Sequence, residues 1–180
     1  MERSTILLRL GCLAFGALFG VLLSDRNIKG FLCQRETGLG KLVHLMLGVT
    51  KMVVCCVAAA VIAKALPASL SILYAGLGLL MAHIVLEPGK AEGSLPLICI
   101  WLVLYLPFTG MLACLGGSLL VLAAGESTVA GLAILVLGAP MALLQFGPEG
   151  GLVLLGAAIS LCLKQFLMAR GLEKGRFHQP

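Results

Sequence analysis

Six stretches of the chain are almost purely apolar, at about 6–24, 42–63, 66–86, 95–124, 129–146 and 151–169, and short polar or glycine-rich segments separate them. Most come close to the roughly 20 residues an α-helix needs to cross the hydrocarbon core of a bilayer. In hydrocarbon a backbone amide finds no water, so each run must satisfy its own amides as helix. The pattern predicts an all-α fold: a polytopic transmembrane helical bundle of about six helices forming one membrane domain over 1–180, with a short basic tail over 170–180.

The runs carry their own punctuation. Arg3 precedes the first, Arg9 interrupts it, and Asp25 and Arg26 close it. That run is expected to be a retained anchor, because Leu22 ahead of Ser24 fits poorly with the small residues a cleavage site needs. Residues 25–41 form the longest polar connector and hold Gly30, Gly38 and Gly40, as a solvated loop would. Runs two and three meet at Lys64-Ala65-Leu66-Pro67, so a short turn should make them an antiparallel hairpin, with Pro67 opening the next helix.

The fourth run is 30 residues long. As a straight helix it would reach about 45 Å, more than a bilayer core requires. Pro107 and Gly110 mark the expected bend, Gly116-Gly117 a second weak point, and the run is read as one kinked long helix rather than two full crossings. Pro140 predicts a kink in the fifth run, and Trp101 suits an interfacial belt. Small residues recur on two helices, as Cys12, Gly16 and Gly20 on the first and as Ser71, Ala75, Gly78 and Ala82 on the third. Such faces let helices approach closely.

Polar residues inside apolar runs are the candidates for chemistry. His44, Gly48, Lys51 and Cys55 share one face of the second helix. Lys51 lies about 13 Å inside that run by helical rise. A lysine at such depth costs about 2.5–3.5 kcal/mol unless it snorkels or finds a partner. His83 and Glu87 are spaced for an i,i+4 contact. With six alternating crossings, His44, His83, Glu87, Gln145 and Glu149 all fall toward one membrane face, and the expectation is a shallow polar vestibule with Lys51 at its floor. No apolar run contains an acidic residue, which leaves Lys51 without an expected buried carboxylate.

Composition agrees with the pattern: 60% of residues are hydrophobic and 12% charged, with a mean hydropathy of +1.09. The net charge of +5 is spread over flanks and connectors and aromatics are 6%, so nucleic acid is not an expected partner. The lipid bilayer is, together with other membrane proteins. Of seven cysteines, six fall in apolar runs, and neither a Cys-x-x-Cys pair nor a Cys/His ligand spacing occurs. No nucleotide loop, nucleophile elbow or His-Glu-x-x-His helix is present. No catalytic residue, metal or cofactor is therefore expected.

Six crossings put both ends of the chain on one side, where seven Lys and Arg face five on the other; the positive-inside rule then makes both termini cytosolic. The functional expectation is a non-enzymatic accessory or scaffold subunit of a membrane complex, docking through its small-residue faces, in the endoplasmic reticulum or another endomembrane. The alternative is a small-solute or anion transporter or channel built round Lys51 and His44. An intramembrane enzyme with His83 as base lacks an accompanying nucleophile.

Overall fold

The computed structural model describes residues 2–22, 38–86, 94–125 and 127–176, with the side chains of 2–3, 38–42, 44, 124, 127 and 167–176 outside that description. The connector from 25 to 37 and Glu87 lie outside the described residues. Within them the chain forms seven helices: α1 (Glu2–Leu22), α2 (Gly38–Ile62), α3 (Ala68–Leu86), α4 (Ser94–Tyr105), α5 (Pro107–Ala124), α6 (Ser127–Phe146) and α7 (Pro148–Arg176). Five of them, α1, α2, α3, α6 and α7, are long and apolar enough to cross a membrane, as a multi-pass membrane protein requires. The expected tail at 170–180 is helical as far as Arg176.

The fourth apolar run is two helices folded back on each other, which corrects the single kinked helix. At Leu106 the backbone leaves the helix (φ −129°, ψ 77°), and Pro107 begins α5. Proline has no amide hydrogen and its ring clashes with the preceding turn, so a helix cannot run through this point unbent. The reversal brings Gly110 against the Leu102 carbonyl, where an added Cβ would stand 2.6 Å away. Further along, the Cys114 thiol donates to the Cys99 carbonyl at 3.6 Å. Two amides on either side of the proline remain bonded, Leu106 N–H to the Leu102 carbonyl and Gly110 N–H to the Leu106 carbonyl, both at 2.6 Å. Leu106 itself is 1% exposed. Around the reversal Tyr105, Leu106 and Thr109 are buried, whereas Pro107 and Phe108 at the tip are exposed.

Two helices fit into the 30 residues because both are short. By helical rise α4 measures about 18 Å and α5 about 27 Å. α4 starts inside the bundle, where Ser94 is 2% exposed, and its last residue, Tyr105, stacks on Phe146, the last residue of α6. The hairpin tip thus reaches the end of the bundle where α6 turns into α7.

Call the end at which α1 begins the proximal end. Gly16 lies against Ala75 and Gly20 against Ala82, so α1 and α3 run parallel. Gly131 packs on Ile98 and Gly138 on Leu102, which makes α4 parallel to α6, whereas Gly151 meets Ala139 and sets α7 antiparallel to α6. Helices α1, α3, α5 and α7 therefore run from proximal to distal, and α2, α4 and α6 return. The extra reversal changes the parity of the chain: α7 leaves at the end opposite to the start of α1, which overturns the six-crossing arrangement. The turn from α6 to α7 is the single residue Gly147, whose φ of 77° is a backbone conformation open to glycine at no steric penalty. Pro148 then occupies the first helical position. α6 continues through Pro140 as one helix.

Trp101 is fully buried, which corrects its expected place in an interfacial belt. Its indole fills the space over Gly76, where any Cβ would overlap the ring, and its Nε1–H donates to the Ile72 carbonyl at 3.3 Å. Met52, Cys55, Leu73, Leu80, Ile98 and Ile134 complete the centre of the core around it.

If the hairpin is held by the close approach at Gly110, Gly110→Ala should lower stability by about 1–3 kcal/mol, the usual penalty for overpacking. Gly116, on the same helix, meets nothing within 4 Å of an added Cβ, so Gly116→Ala should be neutral or stabilising. Thermal unfolding of both variants in detergent checks this; equal midpoints would place the two glycines in equivalent surroundings and contradict the hairpin.

Candidate functional site

The proximal end holds the one described ion pair. Glu149 sits in the first turn of α7, where the positive end of the helix dipole favours a carboxylate. Arg9, about 10 Å up α1 by helical rise, reaches across to it, with Nη1 3.0 Å from Oε1. Tyr74, on α3, donates its hydroxyl to the same Oε1. One oxygen thus takes donors from two helices while belonging to a third.

Tyr105 joins this group from the hairpin tip. Its ring stacks on Phe146 with centroids 4.8 Å apart, and its Oη lies so close to Gly150 that a Cβ there would overlap it. Tyr105 Oη and Arg9 Nε are buried without a hydrogen-bond partner among the described residues. Arg9 and Glu149 retain 30% and 28% side-chain exposure, so the pair sits at the rim of the bundle rather than at its centre. Chemically the arrangement is a clamp. The Glu149 Oε1 accepts from both the arginine and the tyrosine, which joins α1, α3 and α7 at one point.

The residues expected to form a polar vestibule divide between the two ends. His44 belongs to the distal part of α2, with its side chain outside the described residues, and His83 is half-buried near the distal end of α3. Gln145, exposed, and Glu149 lie at the proximal end. His83 is about 22 Å along α3 from Ala68 by helical rise, which separates it from Glu149 by most of the bundle. Lys51 is half-buried midway along α2. The α4–α5 reversal is the reason: it moves everything after Leu106 to the opposite side from the one that six alternating crossings imply.

The two small-residue faces meet each other. Gly16 approaches the Ala75 backbone, Gly78 approaches Leu13 and Ala17, and an added Cβ at Gly20 would stand 2.7 Å from that of Ala82. Ser71 is fully buried and its Oγ donates to the Pro67 carbonyl at 3.4 Å. These residues bind α1 to α3 within the molecule, and the small-residue faces are therefore not open to a partner.

The six described cysteines are free thiols, and among the described residues no three His, Cys, Asp or Glu side chains come together as a metal site. Arg9, Tyr74 and Tyr105 are the site residues that sequence reasoning passed over. Arg9 carried a signal, a charge interrupting an apolar run, but was counted with the flanks. The tyrosines had none, because a tyrosine in an apolar helix is equally suited to packing. Compared with protein-family models, curated proteins and solved structures, the chain matches none.

Removing the carboxylate leaves Arg9 without its counter-charge. Glu149→Gln should destabilise the protein by about 2 kcal/mol, less than the 3–5 kcal/mol of a fully buried pair, because both side chains keep partial exposure. Adding Arg9→Met should recover part of that loss. A thermal-unfolding cycle over the two single variants and the double variant measures the coupling; strict additivity would show that the two residues do not interact.

Proposed function

We propose that the protein is a non-enzymatic accessory or scaffold subunit of a membrane complex. The observation that carries this reading is the engagement of Glu149: its carboxylate joins Arg9 and Tyr74 and ties three helices together. Polar chemistry at that end serves cohesion. The transporter alternative rests on Lys51 and His44, and of the residues expected beside them Gln145 and Glu149 lie at the opposite end of the bundle, which leaves a smaller polar group there.

The same topology supports an orientation. By chain order Arg26, Lys29, Arg35 and Lys90 fall between helix ends that are distal, Lys41 is near the start of α2, and Lys164, Arg170, Lys174 and Arg176 are in the distal part of α7. Only Arg3, Arg9 and Lys64 belong to the proximal side. Nine cations against three, with Lys51 inside the span, make the distal end cytosolic by the positive-inside rule. The earlier margin of seven to five in favour of cytosolic termini rested on a parity the hairpin reverses. Docking falls instead to the outward apolar faces, such as that of α7, where Leu152, Ile159 and Leu163 are exposed.

The test compares wild type with Lys51→Met. Extraction from native membranes in mild detergent should recover the same membrane partner in fixed ratio with both proteins, and vesicles containing the purified protein alone should pass no solute or anion. A flux in those vesicles that Lys51→Met abolishes at normal abundance would contradict the scaffold reading and favour transport.

A further inference from the structure

On the proximal half of the bundle α1 and α2 splay apart over an open apolar groove. Leu7, Leu8, Gly11 and Phe15 form one wall, and Ala59 and Ile62 the other. Cys12 and Ala63, buried and packed with Leu66, close its floor. The width comes from Gly11, around which an added Cβ would meet nothing within 4 Å. The groove has a volume of 390 Å³.

Volume and chemistry select the occupant. Water needs two to four polar partners to be stable in a cavity, and the Cys12 thiol is the one polar side-chain group in the lining. A partner helix is 10–12 Å across, so even two turns occupy on the order of 900 Å³. A methylene fills about the same share of space as a water molecule, about 30 Å³, and the groove has room for about a dozen. Lys64 follows Ala63 directly and is exposed at the proximal end, while Arg3 lies in the first turn of α1. An exposed cation one residue beyond the Ala63 floor complements a phosphate joined to a hydrocarbon chain.

We propose that the α1–α2 groove is a specific site for one acyl chain of a phospholipid, whose phosphate is held at the mouth by Lys64. The site is distinct from the Arg9–Glu149 clamp, since Leu7, Leu8 and Gly11 line the groove while Arg9 reaches away to α7.

The experiment uses the full-length protein in detergent with a phosphatidylglycerol that carries a photoreactive group near the end of one chain. Wild type should label at residues 7–15 and 59–63 and retain a single phospholipid per chain through purification. Gly11→Phe, which fills the groove from its open side, should lose both at unchanged elution volume and thermal midpoint. Ile62→Trp, from the other wall, tests the same point if Gly11→Phe does not fold. Lys64→Gln should weaken retention several-fold while the labelled residues stay the same. Labelling spread evenly over exposed apolar residues such as Leu122 and Leu144 would reduce the groove to ordinary lipid contact and overturn the proposal. So would retention unchanged in a folded groove-filling variant, or a co-purifying protein in place of the lipid that Gly11→Phe releases.

Discussion

A carboxylate on an apolar bundle is stable only beside donors, and Glu149 has two because the chain reverses at Leu106. Without that reversal α7 would begin at the distal end, and Arg9 and Tyr74 would lie most of a bundle's length from it. The α4–α5 hairpin is thus the constraint on which the ion pair depends. What permits it is local: a proline without an amide hydrogen at 107, and a glycine at 110 that lets the returning helix press on the Leu102 carbonyl. The Leu106 and Gly110 amides on either side of the bend keep helical partners.

Two kinds of contact then divide the labour. Close backbone approach joins α1 to α3 through Gly16, Ala75 and Gly78, and electrostatics joins α1 to α7 through Arg9. α1 is otherwise the least enclosed of the helices, with Leu7, Leu10, Leu18 and Leu22 exposed and an open groove on its α2 side. Its attachment at two separated places is what allows it to stand away from α2 without leaving the bundle.

Much of this was legible in the sequence, and the exceptions share a cause. Apolar runs located α1, α2, α3 and α6 to within about four residues, since length and polar punctuation mark a helix wherever it ends in water, whereas α7 continues as helix to Arg176, past the expected end of its run. The hairpin turns inside an apolar run and therefore has no polar punctuation. Pro107 and Gly110 showed where the helix bends, but a kink and a full reversal are written with the same residues. Which occurs depends on whether neighbouring helices pack against the bend, and that information lies in Tyr105, Phe146 and Leu106 only once they are folded together. Everything after Leu106 depends on that choice: with a kink Glu149 falls on the side of His83, and with a reversal it falls on the side of Arg9. Trp101 failed for a related reason, because an indole suits either an interface or a slot over Gly76, and only the fold reveals the slot.

The α4–α5 hairpin sends the two ends of the chain to opposite ends of the bundle. One epitope tag at the N-terminus and another at the C-terminus, with protease added to sealed vesicles whose cytosolic face points outward, reads this out. The C-terminal tag should be removed and the N-terminal tag should survive until detergent is added. Removal of both tags before detergent, or protection of both, would put the two ends on one side and contradict this topology.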